Sequence, residues 1–194
     1  MMQHGKKLFI ISGCNGAGKT TAAITLLPTM FERTEFVNAD NIARKLNPSS
    51  PEDVAIEAGR MMLARIDELI NEGKSFTLET TLSTRSYKQL FQRAHDNGYV
   101  VILLYFWLNS PELAIERVAT RVSEGGHNIP QDIIRRRYMK GIKNLFHIFI
   151  PLCDFWSIHD NSSNPRRNVA FGFGEKKQII KDETIFNQLK QYGL

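Results

Sequence analysis

Cysteine is scarce in this sequence: Cys14 and Cys153 are the only two among 194 residues. Two thiols cannot build a disulfide framework and neither falls in a metal-binding spacing, so the pattern reads as that of a reducing compartment. Long apolar runs are missing as well. The longest, residues 99–108, is about half of the roughly 20 residues that a helix needs to cross a bilayer. The first seven residues lead straight into a strand without a signal-peptide cleavage pattern, so a cytoplasmic location without membrane contact is expected. There is no internal repeat, low-complexity tract or long linker. The guanine-reading Asn-Lys-x-Asp and the switch Asp-x-x-Gly occur nowhere, which excludes a GTPase. Leu82-Ser83-Thr84 echoes only the start of a transport-ATPase signature, without its glycines. A basic-aromatic platform for single-stranded nucleic acid is absent too.

What remains is of ordinary globular composition, with 42% hydrophobic and 23% charged residues. The formal net charge of +5 suits a polyanionic partner, whether a nucleic acid or a small ligand such as ATP. Strand and helix signals alternate along the chain. Strands are expected at 7–11, 35–39, 75–78, 99–108 and 155–159. Helices are expected at 19–27, from the Ser50-Pro51-Glu52 start to about 71, at 84–96, from Ser110-Pro111-Glu112 to Gly125-Gly126, and at 130–149. Residues 99–108 are apolar without alternation, as in a central parallel strand covered on both faces. The expected fold is α/β: a three-layer P-loop NTPase with a mostly parallel five-stranded sheet. One domain would span 1–194, with a helical lid at about 111–148 and a hairpin and helix at about 166–194.

The chemistry starts at Gly13-Cys14-Asn15-Gly16-Ala17-Gly18-Lys19-Thr20, a full match to G-x-x-x-x-G-K-[ST]. Glycines let successive backbone N–H groups point at phosphate oxygens, and the following helix adds its positive end. Gly13, Asn15, Gly16, Ala17, Gly18, Lys19, Thr20 and Thr21 are the expected ATP contacts. Lys19 would reach the β- and γ-phosphates and the Thr20 hydroxyl would ligate Mg²⁺.

Two acids stand where a parallel sheet presents its ligands, beyond the C-terminal ends of the strands. Asp40, after Phe36-Val37-Asn38-Ala39, could take the proton of an attacking hydroxyl, help hold the Mg²⁺ shell, or cap a helix starting near Ile42. Glu79, after Ser75-Phe76-Thr77-Leu78, could bind substrate hydroxyls or a magnesium-bound water, or stand in a plain surface turn with Thr80 and Thr81. Residues 116–143 carry most of the clustered positive charge. Arg117 and Arg121 share a helix face and, with Arg136, form the set from which at least one arginine is expected on phosphate, where it would stabilise a transferring phosphoryl group. Arg135-Arg136-Arg137 cannot all face one ligand, because three consecutive helical residues span about 200°. His127, after Gly125-Gly126, is either a ligand contact or a turn residue. Asp160-Asn161-Ser162-Ser163 occupies the position of an adenine-side loop or of a polar turn.

Taken together these motifs resemble the zeta-toxin-like kinases, especially their compact bacterial branch. The resemblance runs through Asn15 to Thr20, Val37-Asn38-Ala39-Asp40, Pro51-Glu52, Ala58-Gly59-Arg60, Phe76 to Ser83, Arg117-Val118 and Arg121-Val122. It continues in Gly125-Gly126-His127, Arg136-Arg137-Tyr138 and Asp160-Asn161-Ser162, and spans roughly residues 6–163. It implies a P-loop kinase that uses ATP to phosphorylate a sugar hydroxyl of UDP-N-acetylglucosamine. In that case Lys19 binds phosphate, Asp40 is the base, and Glu79 and Thr81 contact the nucleotide sugar. Arg136 and His127 would join them on the substrate, lid arginines would sit on the phosphates, and an antitoxin protein becomes a conceivable partner. The chain is shorter than the established toxins, and Gly125-Gly126-His127 stands where they carry an arginine before a Thr-Pro pair. Beside this reading stand a polynucleotide kinase or repair ATPase, which would bind DNA or RNA in a salt-dependent way, and a nucleotide-dependent interaction switch without a phosphorylated product.

Overall fold

A computed structural model describes residues 5–30, 34–126 and 128–193. β1 (Lys7–Ser12) runs into the glycine loop and α1 (Lys19–Met30) leaves it, followed by β2 (Glu35–Val37) and α2 (Ala39–Leu46). A 3₁₀ turn (Pro51–Val54) opens α3 (Ala55–Asn71), then come β3 (Phe76–Thr80), α4 (Tyr87–Asp96) and β4 (Val100–Trp107). α5 (Pro111–Ser123) and α6 (Gln131–Asn144) follow, the latter continued by a π turn (Leu145–Phe149). The chain closes with β5 (Phe155–Asp160), β6 (Arg167–Phe173), β7 (Lys177–Ile180) and α7 (Glu183–Gly193).

One sheet takes all these strands, in the order β2-β3-β1-β4-β5-β6-β7. The expected five-strand count is thereby corrected to seven. The first five in that order are parallel. The C-terminal hairpin adds two more antiparallel strands, β6 on β5 and β7 on β6, through backbone hydrogen bonds to the edge that β5 would otherwise leave open. In register, Ile11 lies beside Glu79 and Leu104, and Ser12 beside Thr80 and Tyr105. Glu79 points to the face of α1, where it meets Thr20. Trp107 points to the opposite face and meets Tyr138 of α6. Helices therefore cover both faces, the three-layer arrangement read from the sequence.

Several local causes set the site's geometry. β4 is buried over most of its length, as a central parallel strand must be. β1 lies between β3 and β4, so the chain switches sides at its C-terminal end, where such sheets open a crevice. Ser110 caps α5 by accepting from the Leu113 amide at 3.1 Å. The cap of α2 is Asn38, accepting from the Asn41 amide at 3.1 Å, which leaves Asp40 in the first helical turn instead of in the capping position. Ser50 makes no side-chain cap. After β3 the backbone turns through a left-handed conformation at buried Leu82 (φ 53°), costly for a residue with a branched side chain. Thr80 Oγ1, accepting from the Leu82 amide at 3.2 Å, and Asn144 Nδ2, donating to its carbonyl at 2.8 Å, hold that turn.

Candidate functional site

The phosphate loop is closed on itself. The Ala17 amide donates to Cys14 O at 3.2 Å, and Lys19 Nζ donates to the same carbonyl at 2.9 Å. Lys19 is buried at 8% exposure and lies 3.8 Å from Glu79 Oε1. Thr20 donates its hydroxyl to Glu79 Oε2 at 2.9 Å. Glu79 thus sits inside β3, nearly buried, and not in a surface turn. Burial pushes the Cys14 thiol up to about 11 against the opposing pull of Lys19 and Arg117, so this cysteine is a packed thiol and not a nucleophile. Thr21 follows Thr20, exposed on the first turn of α1.

Asp40 is exposed, and among the described residues its carboxylate makes no hydrogen bond or ion pair. It borders a cavity of roughly 110 Å³ that Glu52, Arg121 and Gly126 also line. Arg121 therefore shares a wall with Asp40. Arg117 does not join it: its two terminal nitrogens donate to Asn161 O (2.9 Å) and Ser162 O (3.0 Å) in the β5–β6 loop. His127 lies outside the described residues.

A larger cleft of roughly 820 Å³ opens between the segment after β3 and α6. Arg85, Arg136, Arg137, Lys140 and Lys143 bring five cations to its walls, and no carboxylate lines it. Thr80, Thr81, Ser83 and Thr84 supply hydroxyls, with Thr81 and Ser83 2.9 Å apart. Arg136 is therefore in the cleft, as is Thr81. Arg135 turns away to an ion pair with Glu112. Arg137 bridges the two regions: it lines the cleft and donates to Asn15 Oδ1 at 3.2 Å. Burial lowers its guanidinium from the ordinary value, while the neighbouring Asp40 carboxylate raises it. A half-buried cation beside the loop and an acid is suited to meet a phosphoryl group.

Sequence reasoning singled out Arg136 and passed over Arg137, Arg85, Lys140 and Lys143. Arg136, Lys140 and Lys143 recur at helical spacing, a signal that was available. Arg137 was not legible in this way, because its direction depends on which face of α6 Tyr138 buries.

The fold and this loop are those of a P-loop kinase, with ligand groups gathered at the switch point of the sheet. The zeta toxin family matches residues 2–148, and the chain belongs to that family. It is 35% identical over 133 residues to an uncharacterized protein of Haemophilus influenzae, covering 68% of this chain and 92% of that one. Among solved structures it is similar to a chain of the AvrRxo1-ORF1:AvrRxo1-ORF2 complex with sulphate ions, at TM-score 0.78 and 19% identity. That match covers 97% of this chain and 65% of the other, so the chain spans less than two thirds of that relative's length. The same complex has been solved with ATP, at TM-score 0.76 and 18% identity, covering 97% of this chain and 64% of the other. A structure from the PezAT chromosomal toxin-antitoxin system of Streptococcus pneumoniae matches over 100% of this chain and 86% of its own, at TM-score 0.69 and 18% identity. Among the described residues no helix is long and apolar enough to cross a membrane.

Proposed function

We propose that this protein is an ATP-dependent kinase that phosphorylates a sugar hydroxyl of a nucleotide sugar of the UDP-N-acetylglucosamine type. The observation that carries the reading is the cleft beside the phosphate loop, with five cations and no carboxylate on its walls. A neutral sugar gives such walls nothing to neutralise, whereas the diphosphate of a nucleotide sugar does. The family membership points the same way, as does the relative solved with ATP.

In this reading the loop amides and Lys19 hold the β- and γ-phosphates, once Lys19 turns from Cys14 O toward them. The Thr20 hydroxyl and the Glu79 carboxylate are hard oxygens at 2.9 Å from each other. That donor set fits Mg²⁺, which takes few protein oxygens and shares the rest of its shell with phosphates and water. When bound, the ion supplies charge neutralisation at the phosphates. Asp40 accepts the proton of the acceptor hydroxyl as its oxygen bonds to the γ-phosphorus. The bond from that phosphorus to the bridging oxygen breaks, and ADP leaves with the electron pair. Arg137 steadies the charge on the transferring group. The toxin-antitoxin setting of the pneumococcal relative extends the proposal to an inhibitory protein partner.

The test is to incubate the protein with Mg-ATP and UDP-N-acetylglucosamine and seek a mono-phosphorylated product by mass spectrometry. Asp40→Asn should lower kcat by about 10²–10⁴-fold while ATP affinity stays the same. Phosphorylation of free sugars, with the nucleotide sugar untouched, would overturn the acceptor assignment.

A further inference from the structure

We propose that Asn161 is a positioning residue of the phosphate loop, acting from the segment after β5 on a single peptide plane. The inference rests on the reading that this loop binds the phosphates of ATP. Asn161 Nδ2 donates to Ala17 O at 2.8 Å, across 144 residues of sequence. The carbonyl of Ala17 and the amide of Gly18 belong to one planar trans peptide, so they point in opposite directions. Holding the carbonyl outward aims the Gly18 N–H inward, at the place where the loop takes phosphate.

Without that hold, little would keep the plane in place. Gly16 and Gly18 have φ of 78° and 77°, a region that only glycine visits freely. The same freedom lets the 17–18 peptide rotate, so its orientation has to come from outside the loop. The loop is also closely approached at both glycines. A Cβ on Gly18 would come within 2.6 Å of Asn161 Nδ2, and one on Gly16 within 2.7 Å of Ala114 O.

Asn161 is itself held from several directions. Its amide donates to Trp107 O at 2.9 Å. The next residue, Ser162, is pinned by the buried carboxylate of Asp160, which accepts from the Ser162 amide at 2.9 Å and its hydroxyl at 2.5 Å. The Asn109 amide donates to Ser162 Oγ at 2.8 Å. Arg117 then takes both carbonyls, of Asn161 and Ser162. Arg117, expected from the sequence to be catalytic, thus acts on phosphate at one remove, as a second positioning residue that fixes the backbone carrying Asn161.

The experiment compares the full-length protein with Asn161→Ala, Asn161→Asp and Arg117→Ala. It measures the Kd of Mg-ATP by calorimetry, the competition of inorganic tripolyphosphate against ATP, and Tm. Asn161→Ala should weaken ATP and tripolyphosphate by the same factor, about tenfold, equivalent to about 1.4 kcal/mol, with Tm unchanged. Asn161→Asp, which has no donor, should weaken both further. Arg117→Ala should show the same pattern at smaller amplitude. Unchanged ATP affinity in Asn161→Ala overturns the inference, and so does a loss confined to ATP with tripolyphosphate unaffected, since that would place Asn161 on the base. A loss accompanied by a large fall in Tm makes the role structural and overturns it too. If the unsubstituted protein binds no ATP, the reading of the loop itself fails, which is a separate result.

Discussion

Thr20 donates its hydroxyl hydrogen to the carboxylate of Glu79 at 2.9 Å, across 59 residues of sequence. This joins the first residue after the phosphate-loop lysine to the second-last residue of β3, and the same carboxylate lies 3.8 Å from Lys19.

One expectation concerns that carboxylate. Glu79→Gln keeps the shape and removes the charge that two loop residues share. Turnover should fall by about 10²-fold, and the Mg²⁺ concentration for half-maximal rate should rise about tenfold, because a neutral amide is a poor partner for the ion's shell. A Mg²⁺ titration of steady-state rate checks it. An unchanged titration curve would remove Glu79 from the ion's surroundings.

The arginines should separate. Arg137, between Asn15 and Asp40, is expected to act on the transferring group, so Arg137→Ala should lower kcat by about 10³-fold at saturating ATP. Arg136→Ala, in the cleft wall, should chiefly raise KM for the acceptor. Equal kcat losses in the two variants would contradict this division.

Tyr138 carries a stability expectation. Its hydroxyl accepts from Trp107 Nε1 at 2.9 Å and donates to Leu108 O at 2.6 Å, at a residue only 1% exposed. Tyr138→Phe leaves both groups buried without their partner and should cost about 1–3 kcal/mol. Urea unfolding of the two proteins measures it, and activity per folded molecule should stay near that of the parent.

A fourth expectation is a pH dependence. Burial lowers His159 to about 4, with Arg166 adding to the shift. Its ring stacks on Phe106 at 5.4 Å and lies 2.9 Å from Ser157 Oγ. The folded protein keeps this histidine neutral, while the unfolded chain protonates it below about 6.5. Its effect is therefore nil above that pH, and stability is lost as pH falls from about 6.5 toward 4, by on the order of 2–3 kcal/mol. His159→Gln should flatten the stability curve over that window in denaturant titrations at pH 5 and pH 7.5. An equally steep curve in the variant would show that His159 is not the titrating group.

The parts of this site that can be read from the chain are those whose geometry is local. The glycine loop is a contiguous string that its own residues announce. The apolar run in β4 announces a central strand by itself. Asp40 and Glu79 were found because a parallel sheet presents the C-terminal ends of its strands together. Arg137 escaped, since three arginines in a row look alike until Tyr138 decides which way α6 faces. The partnership of Asn161 with Ala17 escaped as well, because nothing in either neighbourhood specifies a contact across 144 residues. The antiparallel strands were recognised as a hairpin but not as part of the sheet, since an edge accepts a strand through backbone hydrogen bonds that leave little mark on sequence.

The walls of the large cleft have a practical bearing on any assay. Five cations lining one cleft repel one another when nothing lies between them, and mobile salt screens that repulsion only over about 10 Å at 0.1 M. Sulphate or phosphate buffer should therefore steady the protein more than chloride at equal ionic strength. The same anions would occupy the place proposed for the acceptor, so the buffer that best preserves the protein is the one in which its affinity would be underestimated.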